Sequence, residues 1–141
     1  MTGERSDLRL GRQNGPVTQT FYEEIGGFDT FRAIVHRFYE GVATDELLRP
    51  MYPEEDLGPA EERFLYFLIQ YWGGPTTYSD HRGHPRLRMR HAPFAVTPEA
   101  KEHWLTHFRA GLDEVQLTPE QDAQMWDYVT HAAQFMVNTF E

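Results

Sequence analysis

Large apolar side chains recur every three or four residues through four long segments of this chain of 141 residues. That spacing places them on one face of an α-helix. No stretch alternates apolar and polar residues over the length of a strand, so the pattern predicts an all-α fold. The stripe of the first segment consists of Phe28, Phe31, Ile34, Val35, Phe38, Tyr39 and Val42.

Proline and capping residues mark where the other three long helices begin. Pro59 suits the first position of a helix that runs to Tyr71, because a proline there loses no hydrogen bond. The runs Thr97-Pro98-Glu99 and Thr118-Pro119-Glu120-Gln121 are two further starts, each with a threonine cap before its proline. Short connectors and an irregular central stretch favour a helical sandwich over an up-and-down bundle.

Shorter elements and one tail complete the predicted layout. We expect a short helix over 21–25, a turn over 44–49 that Pro50 stops, and at most two turns of helix over 86–91. Residues 1–20 show no helical period and are rich in small polar residues, so they are expected to form a flexible tail. Residues 21–141 then form one domain, which is long enough for a real core.

The composition removes several classes of protein. The chain has no cysteine, which excludes disulfides, thiolate metal sites, iron–sulfur clusters and cysteine nucleophiles. Its formal net charge of −9 argues against nucleic acid or an anionic membrane surface as the main partner. No apolar run approaches the ~20 residues of a membrane span, and the N-terminus has no apolar signal core, so we expect a cytoplasmic protein.

A basic stretch from Tyr78 to Phe94 interrupts this acidic background. It contains four arginines, three histidines and two prolines, and it lies between segments rich in large aromatics. A basic segment that carries histidine between aromatic helices suggests a ligand that is flat, anionic and contains a metal.

His91 is the candidate metal ligand of this stretch. A ligating histidine needs its ring orientation held by the backbone and by an acceptor for its second nitrogen. A short helix between Pro85 and Pro93 would hold the backbone of His91 rigidly. The residues alone leave a second interpretation open, in which the His91 ring makes ordinary hydrogen bonds near a helix end.

Three aromatic residues with polar tips lie at or near otherwise apolar stripes: Tyr39, Tyr52 and Trp104. If buried, each needs a partner, because an unmet donor costs ~1–3 kcal/mol. Placed together, they could donate hydrogen bonds to a small bound ligand. Taken singly, each tip could instead point to solvent or to a backbone carbonyl.

Other polar residues carry weaker signals. Arg63 and Arg90 lie beside inward-facing positions and could pair with carboxylates of a ligand, whereas the other arginines of the basic stretch are expected to be solvated. His103 and His107 are spaced to bind a metal from one helix face but lack an obvious third ligand.

Together these segments resemble the truncated haemoglobins, specifically group II. The similarity extends over nearly all of the chain outside the tail, from residue 21 to about residue 140. The segments that carry it read FYEEIGG, AIVHRFY, MYPEEDL, AEERF, QYWGGP, RGHPRLRMRHAPF and WL. The long basic motif is the most specific of them.

The resemblance implies a two-over-two helical sandwich around haem b, with His91 as the proximal ligand of a five-coordinate iron. It also implies that Tyr39, Tyr52 and Trp104 hydrogen-bond the ligand on the iron. Phe64 stands where some relatives have a glutamine, which places more weight on these three donors. The other implied haem contacts are Ala60 and Phe64 on the distal helix, Phe67, Phe94 and Val137 as pocket walls, and Arg63, Tyr78 and Arg90 at the propionates.

The function that the resemblance implies is binding of dioxygen and of other small ligands such as nitric oxide, carbon monoxide and sulfide. Two hydrogen bonds to bound oxygen would raise affinity and slow release. Slow release suits nitric oxide dioxygenation or peroxide reactions better than oxygen transport. Such chemistry needs an electron-donating reductase, which the sequence does not identify, and the oligomeric state, a homodimer included, stays open.

A second class of function is compatible with the spacing alone. In it, the chain is a helical interaction module without a cofactor, and the run from Arg82 to Arg90 binds an acidic partner. The net charge and the many buried aromatics argue against this alternative.

Overall fold

The computed structural model describes residues 19–91 and 94–140. This part of the chain folds into seven α-helices and one 3-10 turn and contains no strand, as the periodicity predicts. The four long predicted helices are α2, α3, α6 and α7. The helices are α1 (Phe21–Glu24), α2 (Phe28–Ala43), α3 (Gly58–Tyr71), α4 (Thr77–Arg82), α5 (Leu87–His91), α6 (Pro98–Asp113) and α7 (Pro119–Met136), and the 3-10 turn is Arg49–Met51.

The long helices stack as two pairs. Helix α2 packs against α3, α6 packs against α7, and the contact between α2 and α6 joins the pairs. This is the helical sandwich that the sequence predicts, in the two-over-two arrangement that the resemblance implies. The short helices lie at its edges, with α4 against α3 and α5 against α7.

The crossing of α2 and α6 is close because a glycine lies there. Gly111 is buried, and a Cβ atom at this position would lie 2.5 Å from the carbonyl oxygen of Ile34. Phe38 of α2 and Phe108 of α6 are fully buried beside this crossing. Burial of such large side chains contributes ~1.5–3 kcal/mol each.

The predicted starts of α6 and α7 are confirmed, whereas α3 begins at Gly58, one residue before the predicted Pro59. Thr97 caps α6 by accepting from the backbone N–H of Ala100, and Pro98 follows it. Thr118 and Gln121 form a reciprocal capping box at the start of α7. These side chains satisfy backbone donors that the first helical turn leaves without partners.

The central connectors differ from their prediction. The 3-10 turn contains Pro50 instead of ending before it, because the first residues of a helix need no N–H donor. Helix α4 is absent from the prediction, since its six residues, TYSDHR, show no apolar period.

Three residues that the helical period places inward are exposed: Phe28, which is 40% exposed, Tyr71 and Phe140. The side chain of Tyr71 is 52% exposed, and that of Phe140 is 74% exposed. Tyr71 ends α3, where its ring stacks on Tyr128 of α7 with centroids 4.0 Å apart. Leu65 and Ile69 of α3 are buried instead.

Within the described ranges, no helix is long and apolar enough to cross a membrane. Residues 1–18 of the predicted tail lie outside these ranges. Pro93, the second of the two prolines predicted to flank the short helix of His91, also lies outside them.

Candidate functional site

A cavity of about 490 Å³ opens between the two helix pairs. Pockets of this size hold cofactors or drug-sized ligands. Every predicted site residue lines it except Val137, which is buried just beyond α7, while its neighbour Met136 lines the cavity. The predicted residues that the cavity brings together are Tyr39, Tyr52, Ala60, Arg63, Phe64, Phe67, Tyr78, Arg90, His91, Phe94 and Trp104.

Two phenol groups lie side by side at this cavity. The rings of Tyr39 and Tyr52 meet edge to face with centroids 5.8 Å apart, and the Tyr39 hydroxyl donates to the carbonyl of Ala60 at 3.3 Å. Burial, followed by the proximity of Tyr52, raises the pKa of Tyr39 well above its usual value, and burial also raises the pKa of Tyr52. Both groups therefore keep their protons at neutral pH and can act as donors.

Trp104 brings a third donor from α6. Its indole ring stacks on Phe108 at an interplanar angle of 7° and lies 5.0 Å from the ring of Phe38 and 5.6 Å from that of Phe64. Among the residues that the structure describes, none accepts a hydrogen bond from the indole N–H. The aromatic contacts fix the ring while leaving its donor available.

An arginine outside the cavity holds the segment that carries Tyr52. The Arg49 guanidinium donates to the carbonyl of Tyr52 at 3.0 Å, to that of Glu54 at 2.7 Å and to that of Glu55 at 2.9 Å. These three bonds satisfy backbone acceptors that no regular element pairs. They fix the course of the chain as it leaves the 3-10 turn.

The histidine pair on α6 is joined to the connector after α2. Asp45 accepts from the Nε2 atom of His107 at 2.6 Å and from the Nδ1 atom of His103 at 3.0 Å. Its other oxygen accepts from the N–H groups of Leu47 and Leu48. Among the described residues, no cluster of three or more His, Asp or Glu could hold a metal ion, and the partner that the structure gives the pair is Asp45.

Burial works against the ionisation of Asp45, but hydrogen bonds from His107, the Leu48 N–H and His103 outweigh it. They hold the pKa of this carboxyl well below its usual range. Asp45 therefore joins α6 to the connector as a carboxylate.

His91 is the last residue of α5 and lines the cavity. It is half-buried, and the loop that follows it leads to α6. Asn138, beyond the end of α7, donates to the backbone carbonyls on both sides of residues 92–93, at His91 and at Phe94. His91 is thus placed by a short helix and by a contact from the C-terminal segment.

Cationic side chains at the cavity are already engaged by protein acceptors. Arg63 donates to the Glu54 carboxylate at 2.9 Å, and this bond lowers the pKa of Glu54. Arg90 donates to the carbonyl of Pro85 at 2.6 Å and to that of Arg82 at 3.1 Å. The predicted propionate contacts of Arg63 and Arg90 would therefore be shared with these acceptors.

Comparison with known proteins decides the family. The family model described as bacterial-like globin matches residues 20–138. The group 2 truncated hemoglobin YjbI of Bacillus subtilis is 38% identical over 120 residues, which are 85% of this chain and 89% of that protein. This chain belongs to the group II truncated haemoglobins.

Solved structures agree with this assignment. The thermostable hemoglobin of Thermobifida fusca is 58% identical, with a TM-score of 0.85 over 87% of this chain and all of that one. The hemoglobin of Chloroflexus aurantiacus is 50% identical, with a TM-score of 0.83 over 86% of this chain and 99% of that one. The group II truncated hemoglobin of Bacillus anthracis is 34% identical, with a TM-score of 0.84 over 89% of this chain and 96% of that one.

Membership of the truncated haemoglobins implies ligand binding through haem, and the cavity fits that cofactor. Its walls are largely apolar and aromatic, which suits the faces of a porphyrin. A histidine suits the iron, and arginines suit the propionates. The alternative of a cofactor-free interaction module finds no support, because Arg82 and Arg90 line this globin's cavity.

The sequence also leaves part of the lining of this truncated haemoglobin unassigned. Ala132, Ala133 and Met136 follow Met125 and Val129 at helical spacing in the sequence, which indicates an inward face of α7 but not a cavity. Glu54, Arg82 and Lys101 gave no such signal, since charged residues usually lie in solvent. The unpredicted lining residues are Leu48, Met51, Pro53, Glu54, Leu68, Arg82, Val96, Ala100, Lys101, Tyr128, Val129, Ala132, Ala133 and Met136.

Proposed function

We propose that this truncated haemoglobin binds haem b through His91 and holds dioxygen with Tyr39, Tyr52 and Trp104. When bound, haem supplies an iron that takes dioxygen, nitric oxide, carbon monoxide or sulfide as a ligand. The observation that carries the proposal is the meeting of three neutral donors at one cavity that His91 also lines.

The protein's part in this function is to place donors and to exclude water. The indole N–H of Trp104 is fixed by three aromatic rings, so little order is lost when it donates to a ligand. Hydrogen bonds to a partly negative ligand contribute more than neutral ones. We therefore expect high oxygen affinity and slow release.

Slow release favours a role in consuming oxygen over a role in carrying it. Nitric oxide dioxygenation and peroxide reduction both benefit from a retained ligand, and both need a reductase that returns electrons. A related structure supports the affinity part of the proposal. The truncated haemoglobin of Bacillus subtilis is described as oxygen-avid, and that chain is 38% identical with a TM-score of 0.80.

Oxygen release from the ferrous protein tests two of the three donors. Trp104→Phe and Tyr39→Phe should each release oxygen roughly 10-fold faster or more, because such a bond contributes ~1.5–3 kcal/mol and about 1.4 kcal/mol corresponds to a factor of ten. The measurement is stopped-flow displacement of oxygen by carbon monoxide.

Two variants serve as matched controls. Trp126→Phe and Tyr22→Phe make the same chemical changes at half-buried residues that do not line the cavity. Their release rates should equal that of the wild type. Unchanged release rates in Trp104→Phe and Tyr39→Phe would show that these side chains do not hold the bound oxygen by hydrogen bonds.

A further inference from the structure

Asn138 hydrogen-bonds the end of α5 at His91 and the loop before α6 at Phe94 and Val96. Its Nδ2 atom donates to the carbonyl of Phe94 at 3.0 Å and to that of His91 at 3.4 Å. Its Oδ1 atom accepts from the backbone N–H of Val96 at 2.9 Å. One side chain thus touches the loop at three points between α5 and α6.

The backbone beside Asn138 pairs with the same loop. The N–H of Asn138 donates to the carbonyl of Val96 at 2.9 Å, and that of Thr139 donates to the same carbonyl at 3.1 Å. The Thr139 hydroxyl also donates to the Asn138 Oδ1 atom at 2.9 Å. These bonds fix the position of the Asn138 side chain along the loop.

Only a primary amide can make this set of bonds. It donates from one end and accepts at the other, whereas a carboxylate only accepts and a hydroxyl is too short to span both. The orientation of a ligand histidine depends on the backbone that carries it and on the groups that hold that backbone. At His91, one of those groups comes from a segment some 47 residues away in the chain.

We propose that Asn138 is a positioning residue for the iron ligand His91: it sets the backbone on either side of residues 92–93 and thereby the direction in which the imidazole meets the haem. The inference rests on the proposed function, since it takes His91 as the ligand. Asn138 does not itself line the cavity, so it acts through the loop.

The iron–histidine stretching band in the resonance Raman spectrum of the ferrous protein tests this role, together with the rate of haem transfer to apomyoglobin. Asn138→Asp keeps the size and the oxygen that accepts from Val96 but loses both amide protons. Asn138→Asp and Asn138→Ala should both shift or broaden the band and lose haem roughly 10-fold faster or more, as is typical when a group that orients a metal ligand is removed.

Gln134→Ala is the matched control. It removes another amide near the end of α7, one that accepts from Lys101 at 2.8 Å and does not touch the loop. Its band and its haem loss should equal those of the wild type.

Two results would overturn the inference: an unchanged iron–histidine band in Asn138→Asp, even with a lower melting temperature, or an equal effect of Gln134→Ala. If Asn138→Ala does not fold, Asn138→Asp alone decides. A wild type without a Soret band, or a Soret band unchanged in His91→Ala, would instead count against the proposed function.

Discussion

At the scale of single residues, the candidate site depends on how environments set protonation. Burial raises the pKa of Tyr39 and of Tyr52 further above neutral pH, and both phenols can serve as donors. Hydrogen bonds keep Asp45 ionised, so it serves as an acceptor for two histidines of α6. Donors face the cavity, and the acceptor lies behind it in the helix packing.

Asp45→Asn should lower the free energy of unfolding at pH 7 by about 2 kcal/mol, since hydrogen bonds to a charged group contribute ~1.5–3 kcal/mol. The pKa of Asp45 is lower in the folded state than in the unfolded chain, so its contribution is complete above the unfolded pKa of ~3.9 and is lost as the pH falls below it. The difference in free energy of unfolding between variant and wild type should therefore become smaller in acid. Urea unfolding followed by circular dichroism at pH 7 and at about pH 3 measures it.

Asp127→Asn provides the comparison for Asp45. This carboxylate is exposed on α7 and pairs only weakly with His131 one turn away. We expect a change within about 0.5 kcal/mol at either pH. The role of the ionised carboxylate would be contradicted if the difference in free energy of unfolding between Asp45→Asn and wild type stayed constant or grew as the pH fell.

At the scale of secondary structure elements, the crossing of α2 and α6 positions the donors. Tyr39 lies on α2 and Trp104 on α6, and the ring of Phe38 contacts the rings of both. The backbones approach closely at Gly111, where only a residue without a side chain fits. The separation of the two helices is therefore set by backbone contact as well as by side-chain packing.

Gly111→Ala should destabilise the protein by about 1–3 kcal/mol, because the added methyl group meets the Ile34 backbone, which cannot turn aside as a flexible side chain would. Urea unfolding measures the loss. Thr106→Ala, at an exposed position of the same helix, should stay within about 0.5 kcal/mol of the wild type. Equal stability of Gly111→Ala and wild type would show that a methyl group fits between the two helices at this crossing.

At the scale of the whole molecule, the cavity lies where the two helix pairs would otherwise complete their packing. Residues from six of the seven helices line it, all except those of α1. A cofactor bound there contacts most of the fold. Haem binding and folding should therefore be thermodynamically linked.

Removal of haem should lower the melting temperature by about 10 °C or more. A ligand present at 1,000 times its dissociation constant contributes ~4 kcal/mol to stability. Each kcal/mol shifts the melting temperature by about 2–8 °C in domains of 60–250 residues. Differential scanning calorimetry of the haem-free and haem-loaded protein measures the difference. Readdition of haemin should restore the wild type and His131→Ala, an exposed control, but not His91→Ala. Equal melting temperatures with and without haem would contradict the linkage.

The sequence predicts the long helices, and its resemblance to a family gives eleven of the lining residues, but neither gives the polar partners. Apolar stripes and threonine caps are local signals, so α2, α3, α6 and α7 follow from them. Helix α4 has no stripe and was missed. The partners of Arg63 and of the histidine pair depend on segments that are distant in the chain, as does the contact of Asn138 with His91, and no local pattern encodes them.

The contact between α2 and α6 has anchors at both of its ends, Ile34 with Gly111 and Asp45 with His103 and His107. Tyr39 lies between Ile34 and Asp45 along the chain, and Trp104 lies within the histidine pair on α6. For protein engineering this amounts to a design rule. Exchange of the side chains at positions 39 and 104 can introduce new ligand chemistry. The anchors must be left intact, so that α2 and α6 keep their relative position.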